Sequence, residues 1–153
     1  MLNFKTALAA FAVGRRANAE EWNATSHVLA DATLGFGVPA VAGTAAGTIS
    51  ALTAAGQNIL GITEAVAVLA HVGDNFVKYD TVPVCEQGVI GVMLDAAVAA
   101  GAQARFNTAT NMWTSAAASA SVLTVPGAQF DQAGASGAVG VVRFRRPVPC
   151  VSA

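Results

Sequence analysis

Charge is what this sequence has least of. Asp, Glu, Lys and Arg make up 11% of its 153 residues, where a soluble domain ordinarily carries about 25%. The formal net charge of −1 leaves no basic field for phosphates, which excludes nucleic acid as the main partner. Long apolar runs are missing as well. The hydrophobic fraction is 54% and the mean hydropathy +0.55, but much of that is alanine. Runs such as Ala65–Ala70 fall far short of the roughly 18–20 residues that span a bilayer, so the chain reads as soluble, with no membrane partner. Cysteine occurs only at Cys85 and Cys150, in no metal or redox spacing, which reads as two unpaired thiols of a reducing compartment in preference to the alternative, a bridge between them. The opening MLNFKTALAAFAVGRRANA imitates a secretion signal. Arg15-Arg16, however, stands between its short apolar run and the Ala-Asn-Ala, where cleavage regions avoid charge.

Catalytic spacing is also lacking. The only histidines are His27 and His71, and His71, following Val68-Leu69-Ala70, reads as a strand residue with a satisfied ring. No GxSxG elbow positions a nucleophile. Glu64, Asp74, Asp80, Glu86, Asp95 and Asp131 form neither a calcium loop nor a close pair. Glycines 35, 37, 43 and 47 precede no GK[ST], and Asn23-Ala-Thr25 is a glycosylation sequon by spelling only. These residues imply no enzyme, no metal and no cofactor.

What is present is a succession of short apolar pieces divided by Gly, Pro, Thr and Ser. The stretch Val82–Asn107 organises the rest. In Gly88–Leu94 both alternation sets are apolar or small, as in a strand buried on both faces. In Gln103–Asn107, Ala104 and Phe106 alternate with polar neighbours, as in a half-exposed strand. Further strands are predicted at Val38–Ala42, Asn58–Thr63, Ala65–His71, Phe76–Tyr79, Val82–Cys85, Val122–Val125 and Ala138–Arg146. Turns are predicted at Gly43–Gly47, Ala55–Gln57, Gly73–Asn75 and Gly134–Gly137, and a hairpin tip at Thr108–Asn111. Pro126-Gly127 is expected to stop one strand, Gln129–Asp131 to be a short extended piece and Ser115–Ser121 a surface loop. Turn signals recur every 8–12 residues or so, the rhythm of a sandwich or barrel rather than of βαβ units.

The fold class is therefore all-β: one small β-sandwich or β-barrel, jelly-roll-like, over 34–153, with an irregular N-terminal arm over 1–33. The segment 1–35 holds three of the ten aromatics (Phe4, Phe11 and Trp22). It reads either as an amphipathic helix on its own domain or as an arm crossing to a neighbouring subunit. Arg143, Arg145 and Arg146 form either a solvated strand face or a patch for an acidic protein surface. A surface so poor in charge and rich in small residues suits coverage by other subunits.

The layout from Leu34 to Pro147 resembles the capsid cement, or decoration, proteins of tailed bacteriophages. The likeness rests on LGFGVPAV, Gly61-Ile62, VPVCEQGVIGVML followed by AAVAAGA, the ARFNTATNMWT hairpin and the closing VPGAQFDQAGASGAVGVVRF. It implies self-association, as a homodimer or other homo-oligomer, and attachment to the major capsid protein over joints on the outer face of the virion. It also implies synthesis in the bacterial host cytoplasm and no catalytic residue. The expected capsid contacts are Phe11, Arg15, Arg16, Trp22, Arg143 and Arg145. Rival readings are a head fibre base or tail component, a sugar-binding jelly-roll module using Trp113 and Tyr79, and a secreted β-sandwich hydrolase.

Overall fold

The apolar centre of the chain is one long strand. In the computed structural model, which describes residues 12–18, 22–66 and 75–147, the predicted pieces Val82–Cys85 and Gly88–Leu94 merge. Gly88 adopts φ +151°, a conformation open essentially to glycine, so the strand runs through Glu86-Gln87 instead of turning there.

In chain order the strands are β1 (Asn23–Leu29), β2 (Thr33–Gly35), β3 (Pro39–Ala42), β4 (Thr48–Ala51), β5 (Ile59–Thr63) and β6 (Asn75–Val77). They continue with β7 (Thr81–Met93), β8 (Gln103–Asn107), β9 (Met112–Thr114), β10 (Val122–Phe130) and β11 (Val139–Arg145). The described residues contain no helix. Nine strands form one sheet in the order β1-β4-β3-β5-β7-β11-β10-β8-β9, and β1 also pairs with β7. That extra pairing closes β1, β4, β3, β5 and β7 into a barrel-like ring, which leaves these strands without the open edge that invites aggregation. The remaining strands curl back toward β7. A bridge between Leu94 and Trp113 and a 2.8 Å bond from Asp95 N–H to Trp113 C=O tie β9 to the end of β7. β7 is thus the seam of two curved sheets.

Two cores result, one inside the ring and one between the second sheet and the other side of the ring's strands, which adds Val41, Ile62 and Cys85 to it. Leu29, Ala40, Ile49, Leu60, Phe76, Val82 and Val84 fill the first ring, with the β2–β6 ribbon capping it through Leu34 and Phe76. Ile90, Val92, Leu94, Phe106, Trp113, Phe130, Val142 and Phe144 fill the second. β7 feeds both cores: Val82 and Val84 enter the first and Cys85 the second. Because the register with β1 shifts between Cys85 and Gln87, the strand's even-numbered residues change sides, and Ile90 and Val92 also enter the second. The two halves are clasped at Gly37. The buried Trp113 indole donates to Gly37 C=O at 2.7 Å, while Gly37 N–H donates to Thr63 C=O at 2.9 Å. The Thr63 hydroxyl, itself fully buried, donates to Gly35 C=O at 2.7 Å.

Several details differ from expectation. β6 stops at Val77, with Lys78 and Tyr79 in a turn rather than a strand. Pro126-Gly127 does not end a strand. β10 passes through with a register break between Thr124 and Gln129, made possible by Gly127 at φ +78°; a Cβ there would sit 2.0 Å from Arg145 O. Ala65 and Val66 are not in a strand, and the rest of the predicted Ala65–His71 strand lies outside the described residues. So do His71, Gly73, Asp74, Cys150 and the segment carrying Phe4 and Phe11. β1, within the aperiodic stretch 1–35, pairs with β7 from Asn23↔Gln87 to Val28↔Thr81.

Candidate interaction surface

The described residues hold no group of three or more His, Cys, Asp or Glu able to bind a metal ion. Among the described residues, the arrangement that most resembles a nucleophile site is Thr25, His27 and Glu86. Thr25 Oγ1 donates to Glu86 Oε1 at 2.9 Å and lies 2.9 Å from His27 Nε2. The hydroxyl proton points at the carboxylate, so His27 is left to donate to that oxygen, the reverse of what a general base does. Glu86 is further held by Arg146 at 3.2 Å. The row is a strand-face network with no catalytic order. A cavity of about 580 Å³ is lined mainly by apolar side chains such as Leu34, Phe36, Leu52, Met93 and Phe106. Its side-chain polar groups are Thr33, Asn75 and Asn111, and no titratable group faces it.

The N-terminal candidates sit on a strap. Gly14 N–H donates to Gly91 C=O at 2.8 Å, Gly91 N–H to Arg15 C=O at 2.9 Å, and Ala17 N–H to Val89 C=O at 2.7 Å. Residues 14–17 therefore cover the edge of β7 that β5 leaves free, and Ala65 N–H donates to Gly14 C=O at 2.8 Å on the strap's other side. Arg15 and Arg16 are exposed. The Arg16 guanidinium lies 5.2 Å from the centroid of the Trp22 ring, a cation–π geometry. Trp22 is half-buried against the second core. Its ring lies on Gly88, where a Cβ would come within 2.3 Å of it, so only glycine lets the indole approach the strand this closely.

Beneath this stack is Glu64. Burial raises its carboxyl above the ordinary range, partly offset by a hydrogen bond from Trp22 and the charge of Arg16. Its Oε1 is buried without a hydrogen-bond partner. The neighbouring Cys85 thiol is fully buried and pushed up to about 12, first by burial and then by the charge of Glu64. Glu64 carried no signal in the sequence because Trp22 and Arg16 are distant along the chain.

The C-terminal candidates lie on the opposite face of the seam. Arg143 is opposite Val89 and Arg145 opposite Gln87, whereas Arg16 is opposite Ile90. Directly opposed residues share a face and adjacent ones do not. Arg143 is paired with Asp131 at 2.7 Å, and Arg145 is exposed. The structure thus brings Arg16 and Trp22 together, and Arg143 and Arg145 together, but not the two pairs. Phe11 is outside the described residues.

A third surface went unnoticed in the sequence. The exposed large apolar side chains among the described residues are Val28, Val77 and Tyr79, at the end of β1 and in the turn after β6. Trp113, expected to join Tyr79 in a sugar platform, is fully buried and cannot.

No curated protein matches this sequence. Among solved structures, a chain from "The capsid of Myoviridae Phage XM1" is similar in fold, with a TM-score of 0.69 at 18% identity over 90% of this chain and 92% of that one. The sequence model of the structural cement protein family (E217 gp24/Pam3 gp6) matches residues 3–145. A matched segment that takes in both curved sheets and the strap places the whole molecule, and not one half of it, in that lineage: the chain belongs to the family of phage structural cement proteins.

Proposed function

We propose that the protein binds the outside of a phage head over joints between major capsid protein subunits and stabilises the shell there. The observation that carries this reading is the family match across residues 3–145. The physical character of the surface agrees with it. A shell stabiliser needs buried area on several sides and no chemistry. A standard protein–protein contact buries about 1,600 Å² in total, and contacts with two subunits at once multiply by effective concentration. With 11% charged residues, little ionic surface has to be desolvated when such contacts form.

In this reading the strap and the residues before it form one contact, through Phe11, Arg15, Arg16 and the exposed part of Trp22. Arg143 and Arg145 form a second on the other face of β7. Two faces turned in different directions suit a joint, where a flat surface would meet one subunit only. The bound species is a homodimer or other homo-oligomer.

The test is to titrate the purified chain onto assembled heads that lack it. Saturable, stoichiometric co-sedimentation and a raised temperature of shell disruption are expected. A chain that begins at Ala12 keeps the strap, so it should melt as the full chain does and yet occupy fewer sites. Absence of saturable binding by the full chain would sink the reading.

A further inference from the structure

The turn Val77–Asp80 is closed by a 3.0 Å bond from Asp80 N–H to Val77 C=O. Tyr79, its third residue, has φ +73°, while Lys78 is not among the positive-φ residues. A positive φ at the third position alone defines a type II turn, which calls for glycine or asparagine there. A tyrosine in that conformation is strained by its own Cβ. Its side chain is 75% exposed and so buries little area against the fold. The chain's one tyrosine therefore sits where folding disfavours it.

The surroundings fix its presentation. Asp80 Oδ2 accepts from Val77 N–H at 2.8 Å, and Tyr79 N–H donates to Leu29 C=O at 2.9 Å, so the turn is pinned to the end of β1. The Lys78 ammonium lies 5.2 Å from the centroid of the Tyr79 ring. Val28 and Val77, 40% and 39% exposed, complete the patch. Strain held at an exposed aromatic points to a role outside folding, and tyrosine is among the residues that most often dominate interfaces.

We propose that Tyr79 is an anchor that inserts into a socket on the capsid shell protein, an apolar pocket with a carboxylate at its rim to receive Lys78. The choice of occupant rests on the capsid reading given above and on charge. The patch offers a cation beside apolar area, while the nearest carboxylate, Asp80, is engaged within the turn. An acidic rim complements that pattern, and an apolar lipid surface or a basic one does not.

The experiment compares the full chain with Tyr79→Gly, Tyr79→Asn and Lys78→Glu in binding to heads that lack the protein. Both Tyr79 substitutions suit the turn, so their Tm should be unchanged or raised by about 2–4 °C. Their affinity for heads should fall about 30-fold, the loss of a strong anchor. Lys78→Glu should weaken binding more at low than at high ionic strength. If the full chain binds and the Tyr79 variants bind equally well, this inference fails while the capsid reading stands. If the full chain does not bind, both fail. If the variants lose self-association in sedimentation velocity but keep head binding, the socket belongs to a second copy and the proposal is overturned. Tighter binding by Lys78→Glu would overturn the acidic rim.

Discussion

Trp113 and Glu64 show two opposite ways in which a buried polar atom is handled. The Trp113 indole satisfies Gly37 C=O across the two halves of the molecule. Trp113→Phe would keep an aromatic body in the core and leave that carbonyl orphaned. A lost buried partner costs about 1–3 kcal/mol, so a lowered Tm with unchanged far-UV circular dichroism is expected. Glu64 is the reverse case, a carboxylate with one oxygen unpartnered. Its folded-state pKa is raised, chiefly by burial, so its contribution favours the fold below the ordinary carboxylate range. That contribution is lost as pH rises through the folded value. Glu64→Gln removes the ionisation, and should melt higher than the parent at pH 7 with the gap narrowing toward pH 4. A gap that widens on acidification would show that Arg16 outweighs burial. Cys85, with its thiol pushed up to about 12, should resist maleimide in a Cys150→Ser background at pH 7.5 and react once denatured.

At the scale of elements, the strap over 14–17 and Gly88 form one unit. The strap occupies hydrogen-bonding groups of Val89 and Gly91 that would otherwise be an open strand edge. A chain beginning at Asn18 should therefore melt lower than one beginning at Ala12 and associate at high concentration, visible by light scattering. Gly88→Ala would press a methyl into the Trp22 ring and should resemble the shorter chain. How much of this could be read in the sequence depended on the range of the interaction. β3, β5, β8, β9 and β11 were legible because alternation and turn residues are local signals. The Val142/Phe144 against Arg143/Arg145 pattern matches the burial seen in β11. β1 was not legible, since its exposure alternates from Ala24 to Val28 but the residues there, Ala-Thr-Ser-His-Val, do not alternate between apolar and polar. β10 hid its continuity because Pro126-Gly127 spells a stop, and only Arg145 passing over Gly127 reveals the break as a register shift. The turn at Tyr79 gives no turn signal, because its aromatic and β-branched neighbours spell a strand. Of the expected contact residues, alternation set Arg143 and Arg145 apart from the core-facing side of β11, but nothing local placed Trp22 on Gly88.

The whole molecule has two cores and one shared strand, which bears on how it comes apart. β7 contributes Val82 and Val84 to the first core and Ile90, Val92 and, just beyond its end, Leu94 to the second. Neither ring can lose β7 and remain closed. Calorimetry should show a single transition with calorimetric and van't Hoff enthalpies in agreement, and two resolved transitions would contradict the shared seam. The same geometry governs the response to load. Under the attachment proposed above, a force that parts two capsid subunits would pull on the molecule between its two contact faces. A pull lengthwise along the thirteen residues of β7 would load hydrogen bonds that lie across it on both sides. Bonds loaded in that direction share the force and yield together, where a peeled edge gives way one bond at a time. Pulling the molecule along β7 therefore meets the strongest direction of the weave.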